Sequence, residues 1–169
     1  MIQKNNAKAY GKVQLICPCQ QQQSNPKTYQ LCCEPYHQGR VAESPEKLMR
    51  SRFSAYAMGL GNYVKQSWHI STCPDDLNLE SDDQWVKLDI VSSNQKQVHF
   101  KAYFKNEHHS PNATDHYSLL EEISDFVLEK GKWLYVSGET HILEYKQQRN
   151  EACLCGSGKK YKKCCALSS

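Results

Sequence analysis

The stretch Ser118–Val136, SLLEEISDFVLEKGKWLYV, decides the fold of the middle of this chain. Leu119, Ile123 and Val127 recur every fourth residue, a spacing that suits one face of a helix. Lys130-Gly131 argues the other way, because a two-residue link ending in glycine between apolar runs is the mark of a hairpin turn. On that reading, SLLEEISDFVLE and KWLYV are neighbouring antiparallel strands.

Upstream the same period of two appears twice. Val86, Leu88 and Ile90 alternate with Lys87 and Asp89, and Val98, Phe100, Ala102 and Phe104 alternate with His99, Lys101, Tyr103 and Lys105. Each run predicts a strand with one buried face. Before them lies a helix signal: Ser44 as cap, Pro45 at the first helical position and Glu46 in the first turn. Met49, Phe53, Tyr56, Ala57 and Leu60 then mark one apolar face. Gly59 and Gly61 should end this helix, and Asn62 should start a shorter one carrying Tyr63, Val64 and Trp68. Two helices followed by about four antiparallel strands predict an α+β domain with the helices on one face of a curved sheet.

The 169 residues divide into a polar arm (1–16), a cysteine-bearing segment (17–39), the apolar central domain (40–150) and a second cysteine-bearing segment (151–169). No apolar run approaches the about 20 residues that cross a bilayer, and the first residues lack the continuous apolar stretch of a secretory leader. A cytoplasmic address away from membranes is therefore expected. In that reducing setting nine cysteines point to metal ligation over disulfides.

Those cysteines fall into two sets and one singleton. CLCGSGKKYKKCC, Cys153–Cys165, has two thiols one residue apart, an eight-residue gap and an adjacent pair. The Gly-Ser-Gly segment can reverse the chain, since glycine tolerates positive φ. Cys153, Cys155, Cys164 and Cys165 would then close around one zinc ion, a four-thiolate arrangement with no open position for substrate. So short a segment has too little core to fold alone, and the metal would supply most of its stability. Cys17, Cys19, Cys32 and Cys33 repeat the pattern with a twelve-residue gap lacking the glycines and most of the lysines. They predict a second zinc site, one expected to be weaker or more readily oxidised. Cys73 reads as a free thiol.

Charge is placed unevenly. The net charge is +3, and residues 151–169 account for it with four lysines against one acid. Lys159, Lys160, Lys162 and Lys163 surround Tyr161 and predict a basic face for an acidic partner. Nucleic acid is the less favoured partner, because four lysines offer few phosphate contacts.

The string Cys153–Cys165 resembles the SEC-C motif, the zinc-binding tail best known from the preprotein-translocase ATPase SecA, with Cys165 where that tail has histidine. There the tail contacts the chaperone SecB and the ribosome, which implies a chaperone or ribosomal protein as partner. CPC at Cys17, CCEPYHQGR from Cys32 and SPEKLMRSRFSAYAMGLGNYVKQSWHIST from Ser44 resemble the bacterial YchJ-like family, as does EEISDFVLEKGKWLYVSGE from Glu121. The resemblance implies SEC-C-type segments flanking a cystatin-like, nuclear-transport-factor-2-like α+β roll. It also settles the ambiguous stretch as strand.

Such a roll often encloses a cavity between helix and sheet. Arg52, Trp68, His69 and Glu122 are candidates for its polar groups by type and position. The competing reading makes Trp68 core, His69 a hydrogen-bonded helix end, and Arg52 with Glu122 a structural ion pair. No Ser-His-Asp set, paired-acid signature or phosphate-binding glycine loop is present. His108, His109, Asp115 and His116 share a polar loop read as solvated. The sequence thus leaves a zinc-stabilised interaction protein as the first reading. The alternative is a small-ligand-binding protein or enzyme that uses the roll's cavity. A large open apolar cavity with convergent polar groups would favour the alternative.

Overall fold

The computed structural model describes residues 15–77, 83–105 and 117–167. Residues 1–14 of the polar arm and the loop bearing His108, His109, Asp115 and His116 lie outside the described residues. Three helices, α1 (Glu34–His37), α2 (Pro45–Ala57) and α3 (Gly61–Gln66), precede four strands. These are β1 (Gln84–Ser93), β2 (Gln97–Lys105), β3 (Tyr117–Glu129) and β4 (Lys132–Tyr145). The strands form an antiparallel meander in the order β1-β2-β3-β4.

The decisive stretch is a hairpin. Lys130 and Gly131 both take positive φ, 49° and 78°, as a two-residue turn matched to strand twist requires. Glu129 faces Lys132 across it. Ile123, which a helix would bury with Leu119 and Val127, is 42% exposed on the outer face. The inner face of β3 instead carries Leu120, Glu122, Ser124 and Phe126.

Helix α2 starts as its sequence dictates, with the Ser44 hydroxyl accepting from the Lys47 N–H at 3.2 Å and Pro45 at the first position. It ends at Ala57, before Leu60, and Gly59 takes φ +67° just beyond it. Gly61 opens α3 and does not close α2, while Trp68 lies past the end of α3. There the chain joins the sheet edge: His69 N–H donates to the Tyr135 carbonyl at 2.7 Å, and Tyr135 N–H to the Ser67 carbonyl at 3.0 Å. Leu48, Ser51, Arg52, Phe53, Ser54 and Ala55 are all buried. Over residues 51–55 the helix is covered on every side and needs no strong amphipathic pattern, because hydrogen-bonded serines can occupy its second interface.

The sheet has two cores, one on each face. The inner core joins α2 to Leu88, Val98, Phe100, Ala102 and Phe126. The outer one gathers Tyr103, Tyr117 and Leu119 around Leu154 from the C-terminal segment, with Val86 and Tyr145 against them. Two expectations from strict alternation fail, each for its own reason. A register shift between Trp85 and Lys87 turns Val86 away from Leu88, and Trp85 takes the inner place against Phe104, with ring centroids 4.8 Å apart. Tyr103, on the supposed solvent face, is buried because the C-terminal segment covers it.

Gly138 in the interior of β4 leaves room for a charged side chain. A Cβ there would lie 2.2 Å from Glu122 Oε1. Gly138→Ala should therefore cost about 1–3 kcal/mol as an overpacked site, read as a lowered midpoint in urea. Combining it with Glu122→Ala should recover part of that loss, whereas additive losses would show that the two residues do not compete for space.

Candidate functional site

The eight paired cysteines meet as two quartets. Within each, the four sulfurs lie within 4.8 Å of one another. In the N-terminal quartet the separations are 3.6 Å for Cys17–Cys19, 3.5 Å for Cys19–Cys32 and Cys19–Cys33, and 3.9 Å for Cys32–Cys33. Cys155 and Cys164 lie 3.4 Å apart in the other. Sulfurs about 2.3 Å from a central tetrahedral ion are about 3.8 Å from each other, so these edges fit a four-thiolate metal site. Both clusters could hold a metal ion.

The two clusters share one backbone frame. Cys17 N–H donates to the Lys27 carbonyl at 3.0 Å, and Cys153 N–H to the Lys159 carbonyl at 2.8 Å. Ile16 bridges Thr28 as Ala152 bridges Lys160. A short 3-10 turn follows in each, Tyr29–Leu31 and Tyr161–Lys163, and its first carbonyl accepts from Cys32 or Cys164. The extra four residues of the N-terminal gap leave this frame intact. Gly158 takes φ +72° three residues after Cys155, and Gln22 takes φ +66° three residues after Cys19. A glutamine thus stands in the left-handed region without the glycine expected for it. Its amide donates to the Leu154 carbonyl at 3.1 Å, joining one cluster's loop to the other.

The clusters differ in their setting. Cys17, Cys19 and Cys33 are buried in the inner core. Ser54 of α2 accepts from Cys19 N–H at 3.2 Å and donates to Cys33 Sγ at 3.2 Å, with Cys17 Sγ 3.4 Å away. That hydroxyl orients the sulfurs as an outer-shell partner does. Sequence reasoning missed it, since a serine in a helix carries no signal of a distant cysteine. In the C-terminal cluster Cys153 is buried but Cys155 is exposed. The Cys155 thiol is pulled down to about 6, chiefly by the Ser157 hydroxyl. Buried Gln147 clamps this segment, donating to the Ala152 carbonyl at 2.6 Å and accepting from Leu154 N–H at 3.2 Å. Lys159, Lys160 and Lys163 are exposed, with Tyr161 and Lys162 partly covered beside them.

Between α2 and the sheet lies an open cavity of about 320 Å³. Arg52, Trp68 and Glu122 line it; His69 does not. The His69 ring instead bridges Glu129 (3.1 Å) and Ser71 (2.6 Å) at the sheet edge. Arg52 and Glu122 form no ion pair. Arg52 Nη1 donates to the Val64 carbonyl at 3.0 Å and Ser67 Oγ at 2.7 Å, and its Cζ lies 4.4 Å from the Tyr135 ring centroid. Glu122 accepts from Ser124 (2.5 Å), Tyr135 (3.1 Å) and Thr140 (2.7 Å). Burial pushes the Arg52 guanidinium down and the Tyr135 hydroxyl up, the latter with help from Glu122. Tyr135, Thr140 and Gly138 were not singled out from sequence, although a glycine inside a strand is a usable sign of close approach.

Among known proteins, the family described as YchJ, middle NTF2-like domain, matches residues 44–138, and the SEC-C motif matches 149–167. A UPF0225 protein of Vibrio parahaemolyticus is 36% identical over 88% of this chain and 97% of its own. One from Vibrio cholerae is 38% identical over 89% and 99%. The crystal structure of a SEC-C motif containing protein from Psychrobacter arcticus superposes with a TM-score of 0.59 at 28% identity, covering 91% of this chain and 97% of that one. The solution structure of a SEC-C motif containing protein from Rhodopseudomonas palustris gives 0.58 at 27%, covering 74% and 98%. The fold is thus shared with these proteins, and the SEC-C motif that matches residues 149–167 here is named for both solved structures. No helix among the described residues is long and apolar enough to cross a membrane.

Burial ranks the two clusters in the reverse of the order expected from missing glycines and lysines. A chelator should strip the exposed C-terminal site first, and Cys155→Ser should then leave one tightly held metal per chain. Retention by the C-terminal site in a Cys19→Ser variant, with loss from the N-terminal site in Cys155→Ser, would reverse this order; metal analysis after stepwise chelation reads the difference.

Proposed function

The chain belongs to the UPF0225 family of YchJ-like SEC-C motif proteins, and on that premise we propose that it is a zinc-stabilised docking protein. Cys17, Cys19, Cys32 and Cys33 hold one zinc ion, and Cys153, Cys155, Cys164 and Cys165 a second. Four thiolates in tetrahedral spacing suit zinc, which makes each site structural. Thiolates kept reduced accord with a cytoplasmic address.

A contrast between the two frames carries the docking role. Thr28, Gln30 and Leu31 occupy the places that Lys160, Lys162 and Lys163 occupy in the C-terminal frame. Lys27 stands where Lys159 does, and the same hydrogen bonds form in both frames, so the knuckle does not need Lys160, Lys162 or Lys163 to fold. Their concentration at one end therefore supports a recognition role, a rigid basic face with Tyr161 at its centre for an acidic protein surface. By resemblance to the SecA tail, a chaperone or ribosomal protein is the partner type.

The cavity supports a second role beside this one, small-ligand binding, because it is open, mostly apolar and furnished with convergent polar groups.

Replacing Lys159, Lys160, Lys162 and Lys163 with glutamine should leave metal content and fold intact. It should also remove from affinity capture the acidic proteins that wild type retains at low salt and loses at high salt. Identical capture by the variant overturns the docking role. Loss of the captured material on nuclease treatment would assign the face to nucleic acid.

A further inference from the structure

The cavity between α2 and the sheet contains two opposite charges that do not neutralise each other by contact. Arg52 is 2% exposed, and among the described residues no carboxylate lies within 4.0 Å of its guanidinium. Both of its hydrogen bonds leave from Nη1, although a guanidinium offers five N–H groups. Trp68 and Tyr56 line the same cavity. Trp68 Nε1 is buried without a partner, and the Tyr56 hydroxyl makes no hydrogen bond among the described residues.

Across the cavity, Glu122 Oε1 accepts from Ser124 and Tyr135, while Oε2 accepts from Thr140 alone. A carboxylate oxygen can accept two hydrogen bonds, so Oε2 has one place left. The fold makes room for this group, since Gly138 gives up a side chain where any Cβ would collide with it. Stability does not require the arrangement, because apolar residues of similar volume pack at least as well as buried charges. The remaining wall is apolar and largely aromatic, with Phe53, Trp85 and Phe100 beside Tyr56, Trp68 and Tyr135.

We infer that this cavity binds a small aromatic molecule of no net charge that presents an oxygen acceptor to Arg52 and an N–H donor to Glu122. The formal charges of Arg52 and Glu122 cancel, so an added net charge would stand unbalanced in a poorly solvated space. A carbonyl or carboxylate oxygen meets the spare donors of Arg52, and an amide or ammonium N–H meets Oε2. Aromatic walls fix the ring between them. The volume lies at the lower end of the range for small-ligand sites. The inference rests on the ligand-binding reading of this cavity, not on the docking role, and holds whether or not the lysine face has a partner.

Three probes of one size separate the possibilities: phenylacetamide, phenylacetate and phenethylamine. Each is titrated into the full zinc-loaded chain and followed by the indole N–H resonances of Trp68 and Trp85. Phenylacetamide should shift them saturably, and the two charged probes should bind at least about tenfold more weakly. Glu122→Gln leaves Arg52 unbalanced and should transfer the preference to phenylacetate. The wild-type ranking decides even if that variant unfolds. Equal or tighter binding of phenylacetate to wild type overturns the charge balance, and tighter binding of phenethylamine does the same. No shift with any probe means that the cavity is not a site for this class.

Discussion

Four sulfurs within 4.8 Å of one another, as Cys17, Cys19, Cys32 and Cys33 are, suit a cation among them. As thiolates they repel one another, and as thiols in contact they are open to oxidation. A metal ion converts the crowding into cohesion, and the two knuckles have little else. Their regular structure consists of 3-10 turns and single β-bridges, with hardly any apolar residues of their own. Each would therefore depend on a bound ion for shape, and each takes an apolar seat on the roll. The N-terminal one reaches the inner core through Ser54, and the C-terminal one reaches the outer core through Leu154. The outer face of the sheet is therefore covered around Tyr103, Tyr117 and Leu119, although a four-stranded meander with helices on one side would leave that face to solvent. The Gln22–Leu154 hydrogen bond closes the circuit between the two ends.

The interior of the roll follows a different logic. Most of α2 and the sheet is packed as an ordinary core, yet Arg52 and Glu122 are placed inside it on opposite walls. Each meets neutral hydroxyls or carbonyls, keeps hydrogen-bonding capacity unused and is not paired with the other. Tyr135 stands between them, stacked under the guanidinium and donating to the carboxylate. This partial network fixes side-chain positions. It holds the cavity open where aliphatic side chains would have closed it.

Much of this was legible in the sequence, and the failures have common causes. Turn chemistry at Lys130-Gly131 outweighed a helical spacing that would have buried Ile123. The cap at Ser44 placed α2 correctly at its start, while its end and the start of α3 differed from the expectation from Gly59 and Gly61. Both quartets were readable because thiols in paired spacing have few other uses. The errors arose where distant chain segments meet. Val86 turned outward because of a bulge with no marker of its own, and Tyr103 was buried by a segment some fifty residues downstream. Ser54, Gln147 and Gln22 gained their roles only through folding. The expected weakness of the N-terminal cluster was read from its loop composition, and its burial, which depends on α2, argues the other way.

Metal analysis combined with zinc-edge X-ray absorption, on chain purified under reducing conditions, tests the central claim most directly. The account predicts two zinc ions per chain, each surrounded by four sulfurs at about 2.3 Å and no nitrogen or oxygen ligand. One ion per chain, a mixed sulfur and light-atom shell, or quartets recovered as disulfides with the fold unchanged would contradict it.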